Sequence, residues 1–225
     1  MKMLLIETAT RVCSVALAEE GRVVAACTEE GQDVHSTRLP VFVKELLPSR
    51  IDAVCVSSGP GSYTGLRIGV STAKGLCYAL GVPLIGVPTP LSMAALYFRQ
   101  HPDYRGLVCP MIDARRMECY TMLVDAGLGI VRDVAADVVV EGLYDEWLDC
   151  GEVVFIGDGA AKTSPLLSAH PNARYDESWA FSAEGLLPVA LRKLAAGETE
   201  DVAYFEPFYL KDFVAKKSVV HGLRD

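Results

Sequence analysis

The chain has 225 residues, 51% of them hydrophobic, enough to bury one large core or two smaller ones of about 100 residues each. Its formal net charge of −8 argues against a solitary nucleic-acid binder, which must neutralise several phosphates with Lys and Arg. No apolar run approaches the roughly 18 residues that span a bilayer, and Met1–Ile6 leads directly into Glu7, Thr8 and Thr10, so a cytoplasmic protein without membrane association is expected.

Three short apolar runs open the chain, Met3–Ile6, Val12–Leu17 and Val23–Ala26, and the short polar turns between them predict an antiparallel meander. From Ser36 to Leu47, Leu39, Phe42, Val43, Leu46 and Leu47 recur at helical spacing, with Pro40 near the first turn or at a kink. A β-branched strand, Ile51–Val56, then runs through Ser57–Ser62 into a long helix that Gly81 ends. A strand at Leu84–Val87 and a helix capped by Thr89 or Ser92 complete the first unit, and the polar break His101–Arg105 marks a boundary between residues 1–103 and 104–225.

The pattern then restarts with strands at Leu107–Ile112, Cys119–Val124 and Val153–Ile156, and with a helix from Ala183 to Ala195 capped by Ser182. Two successive sets of strands and helices predict a pair of α/β domains of similar plan. The seven cysteines are scattered and lack a C-x-x-C pair, which reads as small core residues in a reducing compartment and not as a metal centre. The basic pairs Arg115-Arg116 and Lys216-Lys217 read as solvated surface.

Chemistry is concentrated between Ser57 and Val87. Gly59, Gly61 and Ser62 lead into a helix N-terminus, where backbone N–H groups can hold a phosphate, but a plain tight turn accounts for the same residues. Glu7 and Thr8, at the end of the first strand, are candidates to join them, and a solvated turn is the alternative. Inside the helix, Gly65, Gly69 and Gly75 each cost about 1 kcal/mol relative to Ala, which implies that something approaches the backbone closely. Either the chain's own elements cover that face, or it belongs to an apolar patch on two helices that binds another chain. The four histidines form no recognisable triad or metal motif.

The segments LLIETATRVCSVAL, HSTRLPVFVKELL, SSGPGSYTGLRIGVSTAKGLCYALGVPLIGV, MIDARRMECY and PFYLKDFVAKK resemble, in order, the markers of the TsaB (YeaZ) family. The likeness runs nearly end to end, weakest at residues 125–151 and 164–178, and GPGSYTGLRIG is its most specific part.

The resemblance implies an actin-like (ASKHA) fold of two RNase H-like domains. It implies a non-catalytic subunit that pairs with a TsaD-type catalytic paralogue, which transfers a threonylcarbamoyl group to N6 of the adenosine beside the anticodon of tRNA. A TsaE-type ATPase joins the assembly, tRNA is met through the complex, and a homodimer forms when the partner is missing. Thr89 and Met93 stand where the paralogue has its metal-binding histidines, so no intrinsic cofactor or metal is expected, and ATP, ADP or a divalent ion belong to the complex. Glu7 replaces the family's usual Asp. The expected partner surface is Leu39, Phe42, Val43, Leu46, Leu66, Gly69, Val70 and Ala73. The alternative is a self-standing ASKHA nucleotide-binding protein or a peptidase-like homologue.

Overall fold

In a computed structural model, residues 1–31, 33–176 and 179–211 are described; the Lys216-Lys217 pair and His221 lie outside them. Strands β1 (Lys2–Glu7), β2 (Val12–Glu19) and β3 (Arg22–Glu30) form the expected meander. Its second turn places Glu20 and Gly21 in the left-handed region (φ 49° and 76°), whose backbone twist suits a two-residue hairpin. Helix α1 (Val34–Leu46) leads to β4 (Ala53–Gly59), α2 (Tyr63–Leu80), β5 (Leu84–Pro88) and α3 (Thr89–Gln100). The first sheet has the order β3-β2-β1-β4-β5, and its last two strands run parallel to β1.

Five further strands follow: β6 (Leu107–Asp113), β7 (Glu118–Val124), β8 (Ile130–Val138), β9 (Val153–Ile156) and β10 (Ala173–Asp176). They form a second sheet in the order β8-β7-β6-β9-β10, which repeats the plan of the first strand for strand. Its helices are α4 (Asp145–Leu148), α5 (Ala160–Leu167) and α6 (Leu186–Ala195). Some elements differ from expectation. Pro40 sits well inside α1, on its exposed side, and Ala183–Gly185 is a 3₁₀ turn before α6, with no side-chain cap from Ser182.

The layers explain the burial. Leu4, Ile6, Val54 and Val56 face α1 and α2 on one side of the first sheet. Met3, Leu5, Cys55 and Val87 face α3 and α6 on the other, and the same core takes in Val108, Met122 and Ile156 of the second sheet. β1 is therefore covered on both faces and apolar almost throughout, as a central strand requires. Although α6 comes from the second half of the chain, it packs on β4 and β5.

The segment after α6 also returns to the first sheet. Glu200 bridges Leu84, Lys74 Nζ donates to the carbonyls of Ala203 and Phe205, and Phe208 N–H donates to Ser58 O at 2.7 Å.

Candidate functional site

The loop after β1 and the start of α2 pack against each other without a gap. A Cβ at Gly65 would strike the Thr8 carbonyl oxygen, and one at Gly69 would strike the Thr8 hydroxyl. The close approach that the helix glycines signalled is thus made by the chain's own β1–β2 loop. Thr8 Oγ1 donates to Gly65 O at 2.8 Å, and Ser62 N–H donates to Ala9 O at 2.6 Å.

The same packing encloses most of the candidate phosphate-binding residues. Gly59 (φ 112°) is backed by the Phe208 carbonyl, and Gly61 by the Ala9 carbonyl. The Ser62 hydroxyl accepts from Gly65 N–H as the cap of α2. Glu7 and Thr8 are fully buried, while Gly61 and Ser62 alone of the five reach the neighbouring cleft.

Glu7 is chemically unlike an anionic ligand. Its Oε1 accepts from Ala9 N–H at 2.6 Å, and burial pushes the carboxyl up to about 8. Glu7 Oε2 and the Ser57 and Thr89 hydroxyls are buried without a hydrogen-bond partner in geometric reach, although Ser57 lies near enough to lower the carboxyl slightly. A fully buried carboxyl with one oxygen already taken by an amide differs from the roomy set of several oxygen ligands that a hard divalent ion takes. Among the described residues no three His, Cys, Asp or Glu side chains cluster as metal ligands.

The residues expected at the partner surface lie mostly inside this chain. Leu39, Phe42, Val43, Leu66, Gly69, Val70 and Ala73 are buried within this chain, and Leu46 is half-buried. Their apolar stripe is the face that covers the first sheet, so it cannot also be the outer face. What the two helices turn outward is Val41, Lys44 and Glu45 on α1 and Arg67, Ser71, Gly75, Tyr78 and Leu80 on α2. Tyr78 is 87% exposed, and Val41 and Leu80 are each 46% exposed. A Cβ at Gly75 would meet no atom within 4 Å. The signal for this surface was present in the sequence, because Gly75 falls outside the 65, 69, 73 series and onto another side of the helix.

Beside the α2 N-terminus lies a cleft of about 870 Å³ between the two sheets. His35 Nε2 donates to Thr10 O at 3.0 Å, its Nδ1 is buried and unpaired, and burial pushes the imidazole pKa down, which favours the neutral ring. Across the cleft, Lys162 pairs with Asp113, whose amide donates to Asp158 Oδ1. Burial alone would raise the Asp113 carboxyl, but Lys162 and the Arg115 amide outweigh it and hold the group low. Burial pushes Asp158 up. Tyr209, Leu210 and Lys211 complete the lining.

Residues 28–204 match the family model described as TsaD: tRNA N6-adenosine threonylcarbamoyltransferase. The chain is similar to the tRNA threonylcarbamoyladenosine biosynthesis protein TsaB of Escherichia coli, with 33% identity over 97% of this chain and 98% of that one. The protein of the same name from Bacillus subtilis is 34% identical over 66% of this chain and 65% of its own length. A crystal structure of a Pseudomonas aeruginosa protein, described as similar to peptidase YEAZ, superposes with a TM-score of 0.81 at 28% identity, covering 93% of this chain and 99% of that one. Together with the two like sheets, these matches make the fold actin-like.

Proposed function

The chain belongs to the TsaB (YeaZ) branch of the threonylcarbamoyltransferase family, and on that premise we propose that it is the non-catalytic subunit of the assembly that makes threonylcarbamoyladenosine on tRNA. It docks on a TsaD-type paralogue through the outward face of α1 and α2. The observation that carries this reading is the uncovered backbone at Gly75, bordered by the exposed ring of Tyr78 on a helix whose inner face is already full. A bare glycine on an exposed helix costs stability in the monomer and gains something only if another backbone comes close.

Several features support a subunit without its own chemistry. Glu7 is enclosed and favours the protonated form, and Thr89 and Met93, at the positions of the paralogue's ligands, are buried in the core. In this proposal transfer occurs on the paralogue, a TsaE-type ATPase joins the pair, and the same helical face supports a homodimer when the paralogue is absent. The assembly works in the cytoplasm; among the described residues no helix is long and apolar enough to cross a membrane.

Size-exclusion chromatography of the chain mixed with its TsaD-type paralogue tests this. Co-elution that a Gly75→Arg variant abolishes, with the variant's melting midpoint no lower than that of the unaltered chain, is the expected result. Separate elution of the unaltered proteins, even with ATP and the TsaE-type ATPase added, overturns it.

A further inference from the structure

The mouth of the cleft brings together rings and guanidinium groups, of which only Arg67, at its edge, also belongs to the proposed docking face. Tyr63 and Tyr209 lie with ring centroids 4.9 Å apart, and Tyr209 is 38% exposed. Arg67 sits over the Tyr63 ring at 5.3 Å and donates to its hydroxyl at 2.8 Å. Arg11 and Arg115 line the same cleft from the first and second sheets and are exposed.

None of Arg11, Arg67 and Arg115 has an ion pair among the described residues. The acidic groups in the lining are differently placed. Asp113 is held by Lys162, Asp158 accepts the Asp113 amide, and Asp33 stands exposed at the rim, while Lys211 is occupied by Glu118. In a chain of net charge −8, arginines without an ion pair among the described residues are thus gathered beside a tilted, partly exposed pair of tyrosine rings. Aromatic rings flanked by free guanidinium groups suit an unstacked base and its neighbouring phosphates, whereas a duplex offers no open base face.

We propose that this mouth is a direct contact surface for an unpaired stretch of RNA, with a base against Tyr209 and phosphates on Arg11, Arg67 and Arg115. This deepens the proposed function and rests on it only for RNA as the natural strand. It refines the expectation that RNA is reached through the complex alone: the local charge differs from the overall charge, and only the folded chain brings residues 11, 67, 115 and 209 together.

The test is a fluorescence-anisotropy titration of the full chain with labelled oligoadenylate about ten nucleotides long, within the range of single-strand site sizes, at several salt concentrations. Three cations on a single strand predict a log–log salt slope of about −2, and Arg11→Ala or Arg115→Ala each reduces it by about 0.7. Tyr209→Ala weakens binding about tenfold and Tyr209→Phe retains it.

No saturable binding at low salt, or binding that these variants leave unchanged, overturns the proposal. Competition by free ATP as effective as that by unlabelled oligomer assigns the cleft to a mononucleotide and also overturns it. Should Tyr209→Ala fail to fold, the exposed Arg11 and Arg115 variants still decide the matter. A chain that co-elutes with the paralogue yet fails this titration sinks the RNA contact alone; one that binds RNA and ignores the paralogue sinks only the docking reading.

Discussion

Gly69 of α2 lies against the side chain of Thr8, so close that any Cβ at position 69 would overlap the Thr8 hydroxyl. A glycine on the inward face of the helix thus fixes the distance between α2 and the β1–β2 loop, and Gly75, six residues on, touches nothing.

The two glycines should therefore respond oppositely to substitution. Gly69→Ala forces the loop and helix apart and is expected to cost about 1–3 kcal/mol, as overpacking does. Gly75→Ala should stabilise the monomer by up to about 1 kcal/mol through helix propensity. Urea denaturation of both variants measures the difference, and equal effects would contradict the packing described.

Tyr78 offers a separate check on the outward helical face. Since it is 87% exposed, Tyr78→Ala should change monomer stability by no more than about 0.5 kcal/mol. Association with the TsaD-type paralogue should weaken by about 2 kcal/mol if the ring anchors the interface, read by calorimetric titration.

Glu7 makes stability depend on pH in a direction opposite to that of an ion-paired carboxylate. Its folded value is about 8 against an ordinary value of 4.5. Between those limits the unfolded chain releases a proton that the folded chain keeps, so stability falls as pH rises and stops falling once both forms are ionised above about 8. The full contribution is up to about 5 kcal/mol. Glu7→Gln should flatten the profile across that window, measured as the denaturation midpoint against pH; an unchanged slope would place the titration elsewhere.

A partly buried ion pair within the outer strand of the second sheet ties it to its neighbours. Arg132 donates through both terminal nitrogens to Asp137 at 2.6 Å, and the Thr121 and Tyr144 hydroxyls also donate to that carboxylate. Burial would raise Asp137, but Arg132 first and the two hydroxyls next hold it low. Arg132→Leu strands a buried charge and should cost about 3–5 kcal/mol. Adding Asp137→Asn should restore part of that loss, because the remaining group is neutral; denaturation of the single and double variants decides.

Much of this protein was legible in the order of its residues. The alternation of short apolar runs gave the meander, and Gly81, left-handed at φ 65°, ended α2 where a C-terminal glycine should. Local patterns sufficed there because hydrophobic periodicity and cap chemistry act within a few residues. β8 and β10 were missed. β8 is an edge strand with Ile130, Val131 and Val138 exposed, and four-residue β10 is also at an edge, so neither leaves a clean buried pattern.

The family was legible as well, since motifs such as GPGSYTGLRIG occupy consecutive positions. What only the tertiary structure decided is which neighbour each residue meets. Periodicity shows that α2 has a glycine-lined face and an apolar face, but both sheet and partner select small and apolar side chains. Thr8 arriving from residues away in the chain, and nothing arriving at Gly75, distinguishes the inner face from the outer one.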